Sequence, residues 1–309
     1  MNIQSNAMPE SPLEAQGIAP AVLVATRPLY WSVRRELWEN RSIYLAPLAA
    51  AAVILFAFLI GAARLPSNIH AALLLDSEHQ RHAIAKPYDF AAGLMMGTAL
   101  IVGVFYCLDA LLAERRDRSI LFWKSLPVSD VTTVLSKAAI PLVVLPLITV
   151  ALTVATQFIM LLLSSAILRA NGVNVTAYWA QLSLFQMSLM LFYHLLTVHV
   201  LGHAPFYCWL LLVSAWARRA AFLWAFLPPL AIAVVEKIAF NTSYFAAMLG
   251  AQLSGGSEAV AFPDRMPIDP GMHLTPGHFL SSPGLWIGLA LATAFLATAV
   301  RLRRYREPI

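Results

Sequence analysis

Residues 42–64 read Ser42-Ile-Tyr-Leu-Ala-Pro-Leu-Ala-Ala-Ala-Ala-Val-Ile-Leu-Phe-Ala-Phe-Leu-Ile-Gly-Ala-Ala-Arg64, with no charged side chain between Arg41 and Arg64. A helix needs about 20 apolar residues to cross the ~30 Å hydrocarbon core of a bilayer, so 43–63 reads as a membrane span. The same ruler finds spans at 90–112, 138–168, 220–240 and 284–300, the last closed by Arg301. Residues 178–217 add forty positions without a charge, enough for two crossings or for one crossing and an interfacial or re-entrant piece.

Composition agrees with that reading. The chain is 60% hydrophobic and 12% charged, against about 25% charged in a soluble domain. In water such a surface would aggregate, whereas lipid solvates it. The net charge of +5 does not point to nucleic acid, because the basic residues fall between the apolar runs, where topology signals belong. Cys107 and Cys208 both lie inside apolar runs and offer neither a disulfide framework nor a metal spacing. Residues 1–25 contain no basic segment leading into a long apolar stretch, so the first span is expected to direct insertion itself.

Basic residues fix the orientation. Segments 27–42, 113–137, 218–219 and the tail after 300 carry fifteen Lys and Arg, and the segments between them outside the spans carry five. The rich side is cytoplasmic by the positive-inside rule, so both termini are expected there and the number of crossings is even. The expected fold is all-α: a polytopic integral membrane protein with about six transmembrane helices. Residues 1–26 form a flexible tail and 27–309 one transmembrane domain. The fourth crossing is placed at 199–217, leaving 178–198 to lie at the outer interface or to dip in and return. Tyr30, Trp31, Leu37 and Trp38 alternate with Arg34, Arg35, Glu36 and Glu39 before the first span, as in a helix lying in the membrane surface.

The loop Glu114-Arg-Arg-Asp-Arg-Ser-Ile-Leu-Phe-Trp-Lys-Ser-Leu-Pro-Val-Ser-Asp130 is too apolar for a bare connector. It sets Ile120, Leu121, Phe122, Trp123 and Leu126 among charges, with Pro127 placed to end one helix and Ser129 or Asp130 to cap the next. That apolar face needs a protein or a membrane surface to cover it.

An interfacial helix, two spans, this Glu-Arg-Arg-Asp-Arg-Ser-Ile loop with Leu126-Pro127-Val128-Ser129, and later Trp216-Ala-Arg-Arg before Leu227-Pro228-Pro229 together resemble the type-2 ATP-binding cassette (ABC) permeases. The resemblance covers about 27–309 and is sharpest in the loop. It implies that Glu114, Arg116, Asp117, Arg118, Ser119, Phe122, Trp123, Leu126 and Pro127 form a coupling segment that docks on an ABC ATPase subunit. It also implies a second permease copy or paralogue in a 2+2 assembly, export, and a bacterial inner-membrane location. The chain has no Gly-x-x-x-x-Gly-Lys-Ser/Thr loop, so ATP and Mg are expected on the partner and this chain is not expected to be an enzyme.

Within the spans, Pro228 and Pro229 each lack an amide donor and are expected to kink or interrupt the fifth helix. Glu236 beside Lys237 reads either as part of a pathway or as an interfacial anchor. His194, His199 and His203 offer a different class of function, a membrane enzyme or redox protein, with 199 and 203 four residues apart on a helix but no further ligand of suitable spacing. His79-x-x-His82 does not form the His-Glu-x-x-His pattern of a zinc protease. A non-transporting membrane scaffold is the third reading.

Overall fold

The computed structural model describes residues 21–117, 119, 128–172, 175–182, 184–254, 281 and 283–305. The described residues are helical apart from short turns, and six helices are long and apolar enough to cross a membrane. In chain order the helices are α1 (Ala21–Glu39), α2 (Ser42–Gly61), α3 (Leu65–Leu73), α4 (Ser77–Arg116), α5 (Asp130–Ala139), α6 (Leu145–Ala170), α7 (Val175–Gln181), α8 (Leu184–His194), α9 (Ala204–Trp216), α10 (Ala221–Phe240), α11 (Tyr244–Ser254) and α12 (Pro283–Tyr305). Helix α1 begins inside the stretch assigned to a flexible tail.

Helix α4 has 40 residues, about 60 Å at 1.5 Å per residue, roughly twice the hydrocarbon thickness. It therefore projects beyond the span read from sequence at 90–112. Its N-cap, Asp76, meets the His79 ring at 2.7 Å, and this hydrogen bond holds the Asp76 carboxyl below the usual carboxylate range. The other helices pack around α4 in two clusters stacked along its axis. One surrounds Tyr106 and Tyr207, the other Tyr88, Met95 and Met160.

The contacts along α4 also give the direction of its neighbours. Ile43 of α2 belongs to the Tyr106 cluster and Ile54 to the Met95 cluster, so α2 is antiparallel to α4. Leu145 of α6 lies in the Tyr106 cluster while Ser164 reaches Tyr88 through a 3.3 Å hydroxyl contact, so α5 and α6 also run against α4. Conversely, Leu191 of α8 packs with Ala92, and Ser214 of α9 lies 3.0 Å from the Leu111 amide.

From Ala92 to Leu111 is about 29 Å of helix, so the segment from α8 to α9 accompanies α4 in parallel across the whole membrane thickness. The helical segment beside α4 thus begins earlier than the 199–217 read from sequence. Leu184–Trp216 runs along α4 as α8, a π-helical stretch at Leu195–Gly202 and α9 in succession. Only His203, itself in a right-handed helical conformation, separates the last two. Only the short α7 remains at the far end, where the Tyr178 and Tyr88 hydroxyls meet at 2.7 Å. Polar residues such as Gln186 and Ser188 had diluted the apolar signal of α8.

Helix α12 runs with α9, so the described chain enters and leaves at one end of the bundle, the end rich in Arg and Lys. The outward faces carry exposed Phe56, Ile60, Ile101, Phe105, Phe158 and Ile238, as expected of surfaces solvated by lipid.

The Pro141 region contains a π-helical turn, Ile140–Val144, between α5 and α6. Pro228 and Pro229, expected to kink or interrupt their helix, lie inside an unbroken α10. Pro229 leaves the Ala225 carbonyl without its helical donor, and the Trp209 indole N–H of α9 donates to that carbonyl at 3.1 Å. Borrowed donors of this kind make proline tolerable within a membrane helix.

At Gly103 of α4 an added Cβ would lie 2.8 Å from the Tyr207 ring of α9. Tyr207 is fully buried and its hydroxyl bonds the His199 ring at 3.2 Å, so the ring has little freedom to move aside. Gly103→Ala should therefore cost about 1–3 kcal/mol through overpacking. Gly97→Ala, where the new methyl meets nothing within 4 Å, should be neutral or mildly stabilising. Thermal unfolding of the two variants in detergent checks this; equal midpoints would contradict the close approach.

Candidate functional site

The 117–129 connection leaves from α4 and returns into α5, and both of its bases are held by one buried ionic network. Ser129 caps α5, its hydroxyl accepting from the Thr132 amide at 3.1 Å. The capping role thus falls to Ser129, and Asp130 is freed for another use. Asp130 accepts from Arg303 Nε of α12 at 3.1 Å. The same guanidinium donates through Nη1 to Glu114, in the last turn of α4. One arginine near the C-terminus therefore joins the exit of α4 to the entry of α5.

Glu114 is also shared. Its Oε1 takes Lys137 Nζ at 3.2 Å and Arg35 Nη2 at 3.4 Å. Lys137, on α5, reaches Glu36 of α1 at 2.9 Å. The second oxygen of Glu36 accepts from the Tyr106 hydroxyl of α4 at 2.8 Å. Arg35 closes the edge through Glu39 at 2.9 Å. Three carboxylates at the centre, Glu36, Glu114 and Asp130, thus face Lys137, Arg35 and Arg303. Glu36, Lys137 and Arg303 are 2%, 2% and 4% exposed. Burying single charges this deeply is prohibitive, and each here has an opposite charge or a hydroxyl in contact.

Beside the network, Arg115 donates to the carbonyls of Ala215 and Ala217 at 2.8 and 3.0 Å, tying the end of α9 to α4. Between the α1–α2 junction, α4 and the start of α10 lies a cleft of about 550 Å³ lined by Asn40, Ser42, Tyr106, Asp109, Ala220 and Phe222. Ala220 enters α10 with φ +51°, a left-handed conformation that disfavours a residue with a Cβ.

The residues expected to form the coupling segment separate into four groups. Glu114 turns inward, into the network. Arg116 and Asp117 are exposed and pair with each other at 3.3 Å. The Ser119 hydroxyl donates to the Glu114 carbonyl at 3.4 Å. Arg118, Phe122, Trp123, Leu126 and Pro127 lie outside the described residues.

Elsewhere, Glu236 uses both oxygens at the start of α11. Oε1 accepts from the Thr242 hydroxyl at 2.8 Å and the Tyr244 amide at 2.7 Å, and Oε2 from the Phe245 amide at 2.8 Å. The carboxylate thus satisfies free amides at a helix N-terminus. The His199 and His203 rings lie with centroids 5.2 Å apart, tilted by 46°. Among the described residues no group of three or more His, Cys, Asp or Glu side chains is arranged to hold a metal ion.

Glu36, Lys137 and Arg303 were read from sequence only as topology charges or interfacial polar groups. The signal that marks them is a recurrence of acids, Glu36, Glu39, Glu114, Asp117 and Asp130, at the end where bases accumulate.

Removing Lys137 takes the ammonium from both Glu36 and Glu114 and leaves three buried or half-buried carboxylates facing two arginines. Lys137→Met should cost about 3–5 kcal/mol, and Glu36→Gln with Lys137→Met should recover part of that loss, because the two changes are coupled. Detergent unfolding midpoints of the two single variants and the double variant measure this coupling; strict additivity would show that the pair is not acting as one.

No family model, curated protein or solved structure matches the chain significantly.

Proposed function

We propose that this chain is the permease subunit of an ATP-binding cassette transporter, exporting a substrate across a bacterial inner membrane. A second permease copy or paralogue completes the pathway, and two separate ATPase subunits bind ATP and Mg. The observation that carries this reading is mechanical. The 114–130 loop resembles an ATPase-docking segment, and both of its bases are fastened to a network that also holds α1 and α12. A push on that loop would be passed to four helices at once, because no base can shift alone without separating buried opposite charges. The excess of Lys and Arg at this end favours a cytoplasmic position, where a soluble ATPase could reach it.

In this reading Trp123 and Phe122 are the apolar anchors of the docking surface, Arg116 and Asp117 its charged rim, and Glu114 the fixed point behind it. Substrate is expected to pass between two protomers, with α10 and its Pro228-Pro229 pair the most lightly packed crossing.

Co-purification with a phosphate-loop ATPase expressed alongside, together with ATP turnover of the complex in nanodiscs, tests the reading. Trp123→Ala should weaken ATPase retention roughly tenfold, as expected when a buried aromatic anchor is lost. Glu114→Gln should retain the ATPase but uncouple its turnover from transport. A reporter inserted within 115–130 that maps to the periplasmic face, or failure of every candidate ATPase to bind, would overturn the proposal.

A further inference from the structure

Helix α1 has two faces of opposite fate. Glu36 points into the bundle, gripped by Lys137 and Tyr106. Arg34 and Trp38 each lie two residues from Glu36, about 200° around a helix of 3.6 residues per turn, and so occupy the opposite face together with Trp31. That face is bare: Trp31 is 58% and Trp38 70% exposed. On it the Arg34 guanidinium lies over both indoles, 5.2 Å from the Trp31 centroid and 5.1 Å from that of Trp38.

The contrast with Arg35 is informative. Arg35, on the inner side, has its charge met by Glu36, Glu39 and Glu114. Among the described residues Arg34 makes no ion pair, and neither does exposed Arg41 seven residues further along. An arginine stacked between two indoles is held in place by its faces, which leaves its N–H edges directed outward. Planar donors of that kind match the oxygens of a phosphate.

We infer that Trp31, Arg34 and Trp38 form a clamp for the phosphate of an anionic phospholipid. Three observations select a lipid. The clamp is built from Trp31 and Trp38 with Tyr30 edge-on to Trp31, residue types that settle in the headgroup layer. It lies on the helix that leads through Asn40 and Arg41 directly into the first crossing, which sets it at the depth of the headgroups. Among the described residues its cation has no acidic partner, so an anionic headgroup supplies the missing charge. The site does not depend on which protein docks on the 114–130 loop. Through Glu36, however, it grips the other side of the same helix that the ionic network holds.

The experiment uses the full-length protein in phosphatidylcholine nanodiscs with and without phosphatidylglycerol, counting tightly retained lipids by native mass spectrometry. Wild type should retain phosphatidylglycerol over phosphatidylcholine. Arg34→Gln should hold it roughly fivefold more weakly, the effect of one basic residue at an anionic surface. Arg34→Lys should fall between, because it keeps the charge but loses the planar stack. Equal retention of the two lipids by wild type would reduce the face to an apolar anchor and overturn the inference. Undiminished phosphatidylglycerol retention in Arg34→Gln would do the same. Displacement of the lipid from wild type by inorganic phosphate would reassign the clamp to a soluble anion, again against the proposal. The wild-type measurements decide even if a variant folds poorly.

Discussion

The Glu36–Lys137 contact is the constraint on which the arrangement of this protein depends. Both groups are almost fully buried at the end of a bundle whose sides face hydrocarbon, and a lone charge there would be driven to find either a partner or water. Their mutual satisfaction demands that α1, which precedes the first crossing, and α5, which opens the third, meet at the same level. Once they meet, Glu114 and Arg303 complete the neutralisation, and the ends of α4 and α12 are brought to the same place. Buried ion pairs are seldom the cheapest source of stability, since well-packed apolar groups often do as well. What they provide is register, because a helix displaced along its axis by one turn, about 5.4 Å, would leave each charge without its partner.

That register explains why helices so far apart in sequence end at one level. Lys137 and Glu36 are 101 residues apart, and Arg303 and Glu114 are 189 apart. Hydropathy alone would fix each span only to within several residues, since a long apolar helix such as α4 can slide or tilt in lipid. The network removes that freedom at one end. At the other end the restraint is neutral: the Tyr88, Tyr178 and Ser164 hydroxyls join α4, α7 and α6, and Gln157 donates to the Tyr88 carbonyl at 3.2 Å. The buried Thr149 and Thr153 hydroxyls donate to carbonyls of their own helix, so they mark an inner face without binding a neighbour.

Much of the architecture was legible in the sequence, for reasons that also show where legibility stops. Runs such as 43–63 declare a crossing because each residue contributes independently to transfer into lipid. The segment from 184 to 216 is harder to delimit, because Gln186, Ser188, Tyr193 and His194 lower a local average while its contacts with α4 run along its whole length. The Pro228-Pro229 helix stays unbroken through a donor on another helix, Trp209, which no reading of α10 alone reveals. The charged residues were the hardest to interpret. Arg303 and Lys137 contribute to orientation wherever they sit at that end, so a count of positive charge is indifferent to whether they face water or each other. Pairing across a hundred residues leaves no local pattern. Only the acids recurring among the bases hint at it.

The same distribution of contacts separates rigid parts of the molecule from compliant ones. Displacing α1, α4, α5 or α12 separately would part buried opposite charges, which costs several kcal/mol. Helix α10 is differently placed: only Ala221 and Ala225 are buried in it, and it opens from a residue already in a left-handed conformation. Its bond from Trp209 to Ala225 lies near its first turns, close to the network, while Val234, Val235, Ile238 and Phe240 at the far end are exposed. An apolar surface surrounded by hydrocarbon gains nothing from the hydrophobic effect by staying where it is, so its position is set by packing alone. A tilt of α10 about its first turns therefore sacrifices few interactions, whereas a comparable tilt of α4 would break most of those that order the bundle. A conformational change in this protein thus has an inexpensive coordinate in α10 and a stiff frame to work against, and the frame is anchored at the end where the 114–130 loop emerges.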